Sequence, residues 1–132
     1  MTDTFLPITT LLASTLLAWL LILSWRVIKS RQSGGASLGD GGDKTLQRRI
    51  RAQANLTEYA PLFVIVIALL EIQDGNQVIL ALLSVTFLVG RVAHGYALAF
   101  TNGNASGRIG GMGLTLGASG LAVVYGLISL VL

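Results

Sequence analysis

The sequence predicts an all-α integral membrane protein, a bundle of four spanning helices with both termini on the outer side. Hydrophobic residues make up 53% of the 132-residue chain and charged residues only 11%, less than half the charge of an ordinary soluble domain. Four long apolar stretches follow one another, each near the roughly 20 residues that a helix needs to cross hydrocarbon. With short loops they occupy the whole chain as one domain, residues 1–132, with spans at about 5–28, 44–73, 77–100 and 108–131. The basic residues gather on one side of that pattern. Arg26, Lys29, Arg31, Lys44, Arg48, Arg49 and Arg51 lie in or beside the first loop and Arg108 in the third, whereas the N-terminus and second loop carry only Asp3, Glu71 and Asp74. By the positive-inside rule the first and third loops are cytoplasmic.

The first span has no charge from Thr4 to Trp25, takes its apolar mass from leucines such as Leu11, Leu16 and Leu20, and is closed by Arg26, Lys29 and Arg31. A cleaved signal peptide is the competing reading. Its basic residues belong before the apolar stretch, where this chain has only Asp3. Residues Ser33 to Gly42 are glycine-rich and polar and read as a flexible surface loop.

Asp43, followed by Thr45 and Gln47, then caps a second helix that runs through Gln73. Its first half is polar and its uncharged run, Tyr59 to Leu70, is too short to cross alone, so other helices must shield the polar half. Asp74, Gly75 and Asn76 form a tight turn into the third span, which passes through Arg91 and His94 to about Phe100. Residues 101–107 (TNGNASG) form the next turn, and the last span runs uncharged from Ile109 to Leu132. Glycines four apart in that span, Gly107 with Gly111 and Gly113 with Gly117, read as faces for close helix packing.

Composition excludes several chemistries. Without cysteine there is no disulfide, thiolate metal site or cysteine nucleophile, so any thiol arrives with a substrate. One histidine and six carboxylates are a poor supply for a protein-built metal site, and no metal is expected. The pI near 9.8 reflects topology signals beside apolar spans rather than nucleic-acid binding.

The second helix carries the chemistry. Arg51, Asn55 and Glu58 fall within about 60° of one face, and Lys44, Arg48 and Leu62 extend the stripe. Charges facing lipid at membrane depth cost about 2.5 to 3.5 kcal/mol each, so the stripe is expected to look into the bundle, with Arg51 and Glu58 bracketing Asn55. One reading is a polar network that fixes helix register. The other is a binding face, because a cation, an amide and a carboxylate together can hold both ends of a zwitterionic peptide. Pro61, inside the same helix, frees the carbonyl of Thr57 and is expected to bend the helix past Glu58.

The run Arg51-Ala-Gln-Ala-Asn55-Leu-Thr-Glu58-Tyr59-Ala-Pro61-Leu62-Phe63 closely resembles the second-helix signature of the MAPEG family, the membrane-associated proteins of eicosanoid and glutathione metabolism. Gly90-Arg91-Val92-Ala93-His94-Gly95-Tyr96 is similar to the family's third-helix motif and mixes features of its prostaglandin-synthase and leukotriene-synthase branches. The resemblance implies a homotrimer that binds glutathione as co-substrate between subunits, near the cytoplasmic side. By matching positions it assigns glutathione binding to Arg51, Asn55, Glu58, Tyr59, Arg91 and Tyr96, and thiol activation to Arg108. Arg26 is a further candidate.

Arg91 and His94 share a face, but Tyr96 lies about 140° from Arg91, so one pocket inside one subunit does not hold all three. His94 reads as a buried hydrogen-bonding partner rather than a base. The expected function is therefore a glutathione transferase, with or without peroxidase activity, that attacks a hydrophobic electrophile in a bacterial inner membrane. The alternatives are a non-catalytic membrane scaffold or lipid-binding protein and, last, a small multidrug transporter, whose expected first-helix carboxylate is missing.

Overall fold

The computed structural model describes residues 5–131. It contains α1 (Pro7–Gly34), α2 (Lys44–Ile72), α3 (Gln77–Ala99) and α4 (Ala105–Ser129), with no strand among the described residues. All four helices are long and apolar enough to cross a membrane. At 1.5 Å per residue they measure roughly 34 to 44 Å, against about 30 Å of hydrocarbon.

Each helix start has a side-chain acceptor for its free N–H groups. Asp43 accepts from Thr45 N at 2.7 Å, Asn76 from Val78 N and Ile79 N, and Asn104 from Ser106 N and Gly107 N. The start of α1 is capped from another helix. Pro7 stands in its first turn, and the buried carboxylate of Glu71, from the end of α2, accepts from Ile8 N (2.9 Å), Thr9 N (2.8 Å) and the Thr9 hydroxyl (2.7 Å). Glu71 thus ties the second helix to the first, placing negative charge at a helix N-terminus, where the macrodipole favours it.

Two boundaries differ from the sequence reading. The first helix continues through Ser33 and Gly34, and the loop begins only at Gly35, whose φ of 70° gives the left-handed turn that ends the helix. Arg31 then holds the loop, donating to the carbonyls of Ala36 and Gly39. The fourth helix starts at Ala105, because the Asn104 cap draws residues 105–107 out of the expected turn.

Helix α3 packs on each of the other three. Helices α1 and α4 do not meet among the described residues, and α2 meets α4 only marginally. Leu12, Leu16 and Leu23 of α1, Phe63 and Ile67 of α2, Leu80 and Phe87 of α3, and Ala118 and Ala122 of α4 form the core. The Phe63 and Phe87 rings stack at 3.8 Å.

The closest crossing is α3 on α4, at Gly90 and Gly111. A Cβ on Gly111 would stand 2.6 Å from His94 N and 2.7 Å from Gly90 O, and one on Gly90 would stand 2.8 Å from Gly111 O. Lipid does not drive helices together as water does, so such backbone contact carries the packing. Gly113 and Gly117, expected as a second packed pair, meet nothing within 4 Å. They lie about 160° and 120° around α4 from Gly111, and both are exposed.

Candidate functional site

The polar stripe of α2 straddles the edge of that helix's buried face. Ala52, Leu56, Ala60, Phe63 and Ile67 mark the face, centred roughly 130° around from the stripe. Asn55, the stripe residue nearest that face, is 8% exposed and turns inward. Arg51 and Glu58 do not look into this chain's bundle as expected and do not bracket Asn55. Their side chains are 57% and 49% exposed and pair with one another on its outer surface at 3.5 Å.

The inward residue finds its partner on α3. Arg91 is 2% exposed, and its Nη1 donates to Asn55 Oδ1 at 2.5 Å and to the Asn55 carbonyl at 3.4 Å. Its Nε donates to Thr115 Oγ1 at 2.8 Å, and that hydroxyl donates to the Gly111 carbonyl at 2.9 Å. Nη2 lies 3.7 Å from Met112 Sδ, and the guanidinium sits 5.1 Å from the centre of the Tyr59 ring. Every one of these partners is neutral. Among the described residues the single ion pair is Arg51 with Glu58, so Arg91 has hydrogen-bond partners there but no counter-charge. Burying an unpaired cation is expensive, and the site has room in its charge balance for an anionic partner.

His94 links this network to α4. It is buried, as expected, and its Nδ1 lies 2.9 Å from the carbonyl of Arg108. Arg91 stands one turn before it on α3, Arg108 carries the carbonyl that it contacts, and Arg51 stands one turn before Asn55, the residue that Arg91 holds. The fold thus gathers three of the predicted arginines, from three helices, around one end of the bundle, together with Asn55, Glu58 and Tyr59. The side chain of Arg108 is exposed there.

Tyr96 is not part of this group. It is 53% exposed and stacks on Phe100 at 5.1 Å, over which the Arg26 guanidinium lies at 4.1 Å. Arg26 Nε also donates to the Ala99 carbonyl at 3.0 Å, satisfying the end of α3. The two faces of α3 are therefore separate surfaces of the subunit, as their angular separation requires. Thr115 is the network member that the sequence reading missed. Its signal was a threonine in the uncharged stretch that follows Arg108, one turn after Gly111.

Because α2 and α4 barely touch, a groove of about 310 Å³ opens between them. Glu58 and Tyr59 stand at its polar end, and Phe63, Val66, Ala122 and Val123 continue it as an apolar channel. That volume is at the lower limit of small-molecule sites.

Comparison with known proteins adds the context. The chain is 29% identical over 77 residues to "Inner membrane protein YecN" of Escherichia coli strain K12, and equally to the protein of that name from strain CFT073. The match covers 58% of this chain and spans 59% of the length of those relatives. Four apolar helices and inner-membrane relatives agree on a multi-pass protein of a bacterial inner membrane. A family-level comparison matches residues 9–128, nearly the whole chain, and with the four-helix architecture it establishes that the protein belongs to the MAPEG family.

Proposed function

We propose that this protein is a glutathione-dependent membrane transferase, which binds glutathione at the arginine-rich end of the bundle and directs its sulfur onto a hydrophobic electrophile. The observation that carries the reading is charge. Arg51 pairs with Glu58, Arg91 holds Asn55 one turn from both, and Arg108 adjoins His94, so three positive charges and one negative leave two. Glutathione as its thiolate carries two carboxylates, a thiolate and one ammonium, a net charge equal and opposite. Arg51 and Arg91 suit the carboxylates, Glu58 the ammonium, and Asn55 and Tyr59 line the same place. The Arg108 guanidinium would hold the sulfur as thiolate once its proton has passed to water. The sulfur lone pair then forms the carbon–sulfur bond with an electrophile lying in the α2–α4 groove, as that carbon's bond to its leaving group or epoxide oxygen breaks and takes the electron pair.

The exposed Arg51–Glu58 pair supports assembly as a homotrimer. Glu58 lies about 21 Å along α2, where a charge facing lipid is costly, and a neighbouring subunit covering it would complete the site. In such an assembly Tyr96 and Arg26 of one subunit are free to face a neighbour's site. The basic first and third loops support a cytoplasmic position for this end, with the termini outside.

The test is titration of the detergent-solubilised protein with glutathione, following thiolate absorbance near neutral pH. Wild type should bind and show thiolate, Arg51→Ala should lose binding, and Arg108→Ala should bind but lose the thiolate signal. One observation favours a non-catalytic scaffold: Asn55 and Arg91 already satisfy one another inside the subunit. Absence of glutathione binding by the wild type would establish that reading instead.

A further inference from the structure

We infer that His94 is a positioning residue: its Nδ1–H donates to the Arg108 carbonyl and fixes where the first turns of α4 present the Arg108 side chain. The chemistry of the contact settles the direction of the bond. A backbone carbonyl only accepts, so the ring nitrogen 2.9 Å away must carry the hydrogen, and in the neutral ring Nε2 then carries none. The carbonyl has two lone pairs and can serve this bond together with the helix's own.

The start of α4 needs such a strut. Gly107, Gly110, Gly111 and Gly113 fall within its first nine residues, and each glycine lowers helix stability relative to alanine. The Asn104 cap holds only the N–H groups of Ser106 and Gly107. Beyond it, the next turn is pinned from α3. His94 grips the Arg108 carbonyl, the Gly111 backbone lies directly against His94, and Arg91 holds Thr115 one turn further on.

The alternative role for this histidine is as the base that takes the thiol proton. A proton accepted at Nε2 would raise the net charge of the cluster, three arginines and Glu58, from two to three, whereas a strut requires no change of charge. The turnover part of this inference rests on the transferase reading; the hydrogen bond does not.

His94 is the only histidine of the chain, so the ¹⁵N spectrum of histidine-labelled protein in detergent reports it alone. The inference requires the proton on Nδ1 at about pH 7. A spectrum with the proton on Nε2 would overturn it even if the protein bound no glutathione. The kinetic arm compares His94→Asn, whose amide nitrogen stands near the place of Nδ1, with His94→Phe. His94→Phe should lower kcat and the thiolate signal roughly tenfold to a hundredfold while leaving the glutathione KM within about twofold, and His94→Asn should restore most of the loss. Equal loss in both variants, with the acidic limb of the pH profile abolished, would make His94 the base instead. A wild type with Nδ1 protonated but no glutathione binding would remove the transferase reading and leave the strut.

Discussion

Substituting Gly111 by alanine should separate α3 from α4 and carry the effect into the arginine cluster. The new Cβ would stand 2.6 Å from His94 N and 2.7 Å from Gly90 O, where ordinary contact begins at 3.4 Å. Both are backbone atoms of a buried helix, with no flexible side chain to yield, so the helices must part by about 0.8 Å. A displacement of that size would lengthen the His94–Arg108 bond from 2.9 Å to about 3.7 Å, beyond hydrogen-bond range. It would also strain the Arg91–Thr115 contact.

Overpacking of this kind costs about 1 to 3 kcal/mol. The assay is reversible unfolding in mixed detergent, with Gly34→Ala as the control, because nothing lies within 4 Å of that position. Gly111→Ala should be destabilised by that amount and should lose the Nδ1-protonated histidine signal, while Gly34→Ala should stay within about 0.5 kcal/mol of wild type. A Gly111→Ala protein as stable as wild type, with an unchanged histidine spectrum, would refute the close crossing and the coupling built on it.

Glu71→Gln tests the cap on α1. Replacing the carboxylate that receives three hydrogen bonds should destabilise the protein by about 1.5 to 3 kcal/mol in the same unfolding assay. Glutathione affinity should be unchanged, since Glu71 lies about 30 Å along α2 from Arg51. Asn55→Asp tests the charge argument. The new carboxylate would pair with Arg91, so stability should be retained or raised, while glutathione affinity measured by calorimetry should fall about tenfold or more as the site loses one unit of its positive excess.

The number, order and membrane character of the helices were legible in the sequence, because they follow from local apolar length, from the Asp43 cap and from the polar turns at 74–76 and 101–104. The sequence also marked the chemically loaded stretch of α2, since Arg51, Asn55 and Glu58 are polar where lipid would exclude them. How those three residues divide depends on helix packing. A stripe 60° wide lies within one face of a wheel, yet the boundary between buried and exposed surface is set by which helices pack against α2, and it runs between Asn55 and its two neighbours. The same holds for Arg91. Its spacing from His94 was readable, but its hold on Asn55 and Thr115 comes from the approach of three helices. The glycines of α4 make the point again: Gly111 and Gly113 are identical residues two positions apart, and only the crossing with α3 makes one indispensable to packing and leaves the other facing outward.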